Sequence, residues 1–168
     1  YGGTEEQWDY WYPSICEEGK LAAYAVTEPG AGSDVAGIST TCKKDGDYYI
    51  LNGVKCFITN GKHADKLCVL ATHDKSKGSR AQSFFMVDTK TEGVSFGKSE
   101  HKMGMRCSET SEVILDNVKV HKKMRIGEEG DGFKLAMKAF NSSRPFIASA
   151  SVGVAQGAFE YARDYAKE

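Results

Sequence analysis

Residues 24–34 read Y-A-V-T-E-P-G-A-G-S-D, and the reading of the chain turns on them. Apolar and β-branched residues over 21–27 predict a strand. It stops at Glu28-Pro29, because proline fixes its own φ and pushes the preceding residue out of the helical region. Gly30 and Gly32 then allow a tight turn and a close approach to something bulky. Backbone N–H groups in such a turn, with the Ser33 hydroxyl, suit an anion such as phosphate. The same letters also fit an ordinary Pro-Gly turn.

Outward from this stretch the pattern is mostly strand. The D-G pair at 45–46 predicts a hairpin joining strands at 39–44 and 48–52, and Asn52-Gly53 predicts a second hairpin turn before 54–59. Further strands are expected at 66–73, 83–88, 94–98 and 111–120, with a polar loop over 74–81. Ahead of them, Thr4 and Gln7 have the spacing of a capping box, followed by a short helix with Trp8, Trp11 and Tyr12 on one face, ended by Pro13. Behind them, Phe133, Ala136, Met137 and Phe140 share the face of a helix over 133–140. Asn141-Ser142-Ser143 and Pro145 then predict the start of a second helix running to the end. About seven or eight β segments at near ten-residue spacing predict an antiparallel sandwich or barrel with flanking helices. A Rossmann reading fails, because Val35 stands where the third glycine belongs.

The chain has 168 residues, 40% of them hydrophobic and 27% charged, the proportions of a globular domain. Net charge is −1, which gives no reason to expect nucleic acid or an anionic membrane. No apolar run nears the ~20 residues of a membrane span. Tyr1 is not an initiator Met, so a processed chain or a piece of a longer one is expected. Five cysteines at irregular spacing predict reduced, mostly buried thiols. Four histidines have no metal-ligand spacing.

A second stretch, K-C-F-I-T-N-G at 55–61, bears on function. In a strand, Phe57 and Thr59 share a face, so a flat aromatic and a hydroxyl could meet a planar ring and its polar edge. With Thr27 and the glycine turn, the set would suit a heteroaromatic cofactor with a pyrophosphate tail. The competing reading makes Phe57 a core residue and Thr59 a plain β-former.

A-Y-A-V-T-E-P-G-A-G-S-D-V-A-G at 23–37 and N-G-V-K-C-F-I-T-N-G at 52–61 resemble the acyl-CoA dehydrogenase family. So do H-K-M-G-M-R-C-S-E-T at 101–110, V-I-L-D-N-V-K-V at 113–120 and G-D-G-F-K-L-A-M-K-A-F at 130–140. The resemblance implies the end of an N-terminal helical domain at 1–20, a middle β-domain at 21–125 and the start of a C-terminal helical domain at 126–168. It implies FAD, an acyl-CoA substrate, removal of an α-proton by a carboxylate base and hydride transfer to flavin N5. Carried over by position, Tyr24, Val26, Thr27, Gly32, Ser33, Phe57, Ile58 and Thr59 would bind the cofactor. Thr27 and Thr59 would act as hydroxyl partners of the flavin, and Phe57 as its cover where many members have Trp. Ser33, Asn141 and Arg144 would contact the thioester ligand or its CoA part. Asn141 departs from the family's frequent Asp, and His121 from a frequent Pro. The family's catalytic Glu belongs beyond residue 168, so no residue here takes that role. An electron-transfer flavoprotein as acceptor, a homotetramer, fatty-acid β-oxidation and a bacterial cytoplasm or mitochondrial matrix are also implied. The alternatives are an acyl-CoA oxidase, a fragment that binds flavin or CoA without turnover, and an aromatic-rich β-domain that docks a partner helix.

Overall fold

The computed structural model describes residues 1–168. They form two compact units, residues 2–133 and residues 134–168 with Tyr1. No helix is long and apolar enough to cross a membrane.

The first unit is an eight-stranded sheet. Its strands are β1 Ala22–Ala25, β2 Thr41–Asp45, β3 Tyr48–Thr59, β4 Lys66–Thr72, β5 Gln82–Asp88, β6 Val94–Ser99, β7 Thr110–His121 and β8 Arg125–Ile126. The order is β6-β7-β3-β2-β4-β5-β8, with β1 paired to β4 off this path. The path has two ends, so the sheet is open and not a closed barrel. It is also mixed: β1 runs parallel to β4, where the sequence predicts antiparallel neighbours throughout. The apolar runs of β4 and β5 are buried along nearly their whole length and hold the centre of the core with Leu51, Ile58, Val113 and Val118.

The D-G hairpin forms, with Gly46 at φ 58° between β2 and β3. Asn52-Gly53 is not a turn. The strand β3 runs through it, paired to β7 on both sides, with a register shift between Leu51 and Gly53. A Cβ on Gly53 would lie 2.4 Å from Thr40 Oγ1, so glycine here admits close contact inside a bulge.

The helix α1, Glu5–Tyr12, starts at the expected capping box. Of its expected aromatic face, Trp8 and Tyr12 are exposed and only Trp11 is partly buried. Gln7 is the buried residue, its Nε2 donating to the Lys123 and Arg125 carbonyls at 2.7 and 2.8 Å. Pro13 does not stop the chain's winding, which continues as one wide turn over Pro13–Glu17.

The helix α2, Gly132–Tyr165, replaces the two expected helices. Ser142 and Ser143 do not cap a new helix. Their hydroxyls donate back to the Lys138 and Phe140 carbonyls at 3.2 Å each, a bond that serine makes within a continuing helix.

Candidate functional site

After Ala25 the chain leaves the sheet and runs beside β3, where the Cys56 N–H donates to the Thr27 carbonyl at 2.9 Å. Glu28 and Ala31 exchange both backbone hydrogen bonds, at 3.0 and 3.1 Å, which puts Pro29 and Gly30 at the tip of a tight turn. Gly30, Gly32 and Ser33 are exposed. A Cβ at Gly30 or Gly32 would meet no protein atom within 4 Å, so the room that these glycines leave faces outward.

A buried ion pair holds this turn to β3. Lys55 is 0% exposed and Glu28 3%, with Nζ and Oε1 2.8 Å apart. Lys55 also donates to the Val26 carbonyl at 3.1 Å. The Ser39 N–H and hydroxyl both donate to Glu28 Oε2 at 2.6 Å, and the Thr40 N–H to Oε1 at 2.9 Å. Burial by itself raises the Glu28 carboxyl, but the Lys55 ammonium and the Ser39 and Thr40 donors outweigh it and bring it down to about 2. Burial pulls Lys55 below the ordinary lysine value, and Glu28 opposes that pull. A carboxylate so sealed and so fully bonded is unfit as a general base.

Just past Lys55 the alternation of β3 breaks. The register shifts between Lys55 and Ile58, and Phe57 takes φ 55°. Lys55 and Cys56 are therefore both buried, while Phe57 is 64% exposed. Ile58 returns to the core at 2%, and Thr59 is exposed. The hydroxyls of Thr27, Ser33 and Thr59 form no hydrogen bond within the chain.

The expected cofactor residues thus divide by what they can offer. Phe57 presents a free ring, and Thr27, Ser33 and Thr59 present unpaired hydroxyls. Val26 and Ile58 have buried side chains, so only their backbone atoms can reach a ligand. Tyr24 packs its ring on Phe84 at 5.3 Å between centroids, and burial, with a smaller push from Cys68, raises its phenol above the ordinary value. It stays a neutral hydroxyl at any physiological pH. Asn141 and Arg144 lie on α2, both exposed, with the Arg144 guanidinium 5.5 Å over the Phe140 ring. Burial pushes the Cys42 and Cys68 thiols up to about 12, so neither is a ready nucleophile.

Sequence reasoning missed the Glu28–Lys55 pair. Nothing in local periodicity links residues so far apart, and only a charged lysine inside a strand of alternating pattern could have flagged it. It also gave no role to the residues lining a polar cleft of about 360 Å³, among them His63, Glu100, Lys102, Arg106 and Glu109.

Comparison with known proteins identifies the family. Residues 23–118 match the family described as "Acyl-CoA dehydrogenase, middle domain", and residues 130–168 match "Acyl-CoA dehydrogenase, C-terminal domain". The chain belongs to the acyl-CoA dehydrogenase family. It is 51% identical over 166 residues to the CarC subunit of the caffeyl-CoA reductase–Etf complex of Acetobacterium woodii, covering 99% of this chain and 44% of that protein. It is 48% identical over 168 residues to the cyclohexane-1-carbonyl-CoA dehydrogenase of Syntrophus aciditrophicus, covering all of this chain and 44% of that protein. The solved structure of butyryl-CoA dehydrogenase from Megasphaera elsdenii superposes with a TM-score of 0.81 at 43% identity, covering 84% of this chain and 37% of that one. The chain thus spans less than half the length of these relatives.

Proposed function

We propose that this chain supplies the flavin-holding middle region, and part of the CoA-contacting helical region, of an FAD-dependent acyl-CoA dehydrogenase. One observation carries the reading: Phe57, an exposed aromatic on β3, directly follows Cys56, whose N–H holds the Thr27 carbonyl, and the hydroxyls of Thr27 and Thr59 have no partner in the protein. A buried, purely structural Phe57 would not look like this. The residues present fit a flavin, and the outward space over Gly30 and Gly32 fits its diphosphate.

When bound, FAD supplies the acceptor for the hydrogens removed from Cα and Cβ of an acyl thioester. Phe57 covers a flat ring, and Thr27 and Thr59 bond its polar edge. Gly32 and Ser33 receive phosphate oxygens, with Ser33 also toward the thioester, and Tyr24, Val26 and Ile58 close the site. Asn141 and Arg144 contact the CoA part. Nothing in this chain abstracts the α-proton. The names of the relatives support an acyl-CoA substrate and an electron-transfer flavoprotein as partner. A homotetramer, fatty-acid β-oxidation and a bacterial cytoplasmic or mitochondrial-matrix setting follow from the family resemblance and belong to the same reading.

The test is anaerobic. The full reading frame that carries this sequence is expected to purify yellow and to bleach when given one of a series of acyl-CoA thioesters. No bleaching with any of them refutes the reading. Peroxide formed in air, with no reduction of an electron-transfer flavoprotein, would assign an oxidase. The 168-residue chain alone is expected to bind FAD weakly and to turn nothing over.

A further inference from the structure

We propose that Glu28 and Lys55 are positioning residues whose buried ion pair sets the spacing between the two segments that face the flavin. The inference rests on the flavin reading above and adds a part that touches neither cofactor nor substrate.

Geometry carries it. Lys55 stands two residues before Phe57, and its Nζ reaches back to the Val26 carbonyl, one residue before Thr27. Glu28 stands one residue after Thr27 and binds the same Nζ. Thr27 is therefore bracketed by two contacts to one ammonium, and its own carbonyl is held by the Cys56 N–H. Behind the pair, Ser39 and Thr40 supply three donors that fix the Glu28 carboxylate in one orientation.

The bulge that turns Phe57 outward begins at Lys55, so the cation also marks where the strand changes register. A buried ion pair is seldom the most stable filling for a core site, since apolar residues of similar volume often do as well. Its particular contribution is directional. The pair accepts one separation and one orientation of the two segments, where packed alkyl groups would accept several. A ring held between Phe57 and the Thr27 and Thr59 hydroxyls needs such a fixed gap, because small displacements of a supporting segment spoil binding geometry.

The experiment uses the full reading frame that carries this sequence and four variants: Glu28→Gln, Lys55→Met, the E28Q/K55M double and Ser39→Ala. Four quantities are read where each variant is folded: thermal stability, FAD affinity, the visible flavin spectrum, and hydrogen exchange at the Cys56 N–H in the flavin-free protein. Each single charge change is expected to weaken FAD binding by roughly tenfold or more. It should also shift the flavin spectrum and speed exchange at Cys56. The double variant is expected to recover thermal stability, having no orphaned charge. Its FAD affinity and Cys56 exchange should stay impaired, because the tie to the Val26 carbonyl is gone. Ser39→Ala should show a smaller loss in the same direction, and it decides the matter with the double variant if both singles fail to fold. A double variant that binds FAD as tightly as the native protein, with the native spectrum, overturns the proposal. Native-rate exchange at Cys56 in all folded variants overturns it too. Native protein that takes up no FAD at all refutes the flavin reading instead, and Cys56 exchange then still reports on the clamp.

Discussion

One strand, β3, carries two buried polar side chains whose surroundings differ. At its far end Lys55 meets Glu28, and both are sealed from water. At its near end the Tyr49 hydroxyl donates to Glu129 Oε2 at 2.8 Å and accepts from Arg125 at 3.2 Å. Tyr49 is as buried as Lys55, but the Glu129 side chain is about half exposed. His73 stacks edge-on to Tyr49 at 5.6 Å and bonds Ser83 Oγ at 2.8 Å. Both clusters tie a distant segment to the same strand, one the turn at 26–30 and the other the strap at 125–129. The partner's access to water is what differs. A sealed charge that loses its partner has nothing to replace it, whereas a half-wet carboxylate recovers much of its loss from solvent.

The largest effect expected is that of Lys55→Met, which leaves the buried Glu28 carboxylate without its counter-ion, held only by the Ser39 and Thr40 donors, and should cost about 3–5 kcal/mol in urea unfolding. A loss no bigger than that of Tyr49→Phe would erase the contrast. Acid should separate the two ends next. Glu28 lies at about 2 in the fold against an ordinary 4.5, so the folded state binds fewer protons than the unfolded chain between those values. Its stabilisation is complete above pH 4.5 and lost as pH falls toward 2, by roughly 3 kcal/mol, and E28Q should remove that slope. Burial holds the His73 imidazole below its ordinary 6.5, so the Tyr49 end should begin to lose stability earlier, as pH falls below 6.5. A single acid transition unchanged by E28Q would break this assignment. Tyr49→Phe should cost about 1 kcal/mol in the same unfolding assay, one hydrogen bond's net worth. The smallest effect on stability belongs to Phe57→Ala, within about 0.5 kcal/mol because the ring is already exposed. That variant should still weaken FAD binding by about 0.5–1.5 kcal/mol, and a stability loss like that of Tyr49→Phe would mean the ring is packed after all.

Legibility followed how local each signal was. The Thr4–Gln7 capping box, the Gly46 hairpin and the apolar runs of β4 and β5 each depend on a few neighbouring residues, and each formed as expected. Asn52-Gly53 misled because its letters favour a turn, while pairing to β7 on both sides and the nearness of Thr40 keep the strand extended. Asn141-Ser142-Ser143 misled because serine hydroxyls that cap a helix can equally bond back into one. The outward placement of Phe57 and Thr59 follows from alternation, but the burial of both Lys55 and Cys56 follows from a bulge that no periodicity shows. The Glu28–Lys55 pair is a tertiary fact, set by how the turn at 26–30 folds back on β3.

Pro145 sits inside α2, four residues after Asn141. A proline nitrogen bears no hydrogen, so the main-chain oxygen of Asn141 lacks the amide it would otherwise receive from the next turn. The helix therefore offers an acceptor at residue 141 that belongs to the backbone and survives any change of that side chain. Replacing Asn141 by Asp would alter the charge on display but not this oxygen.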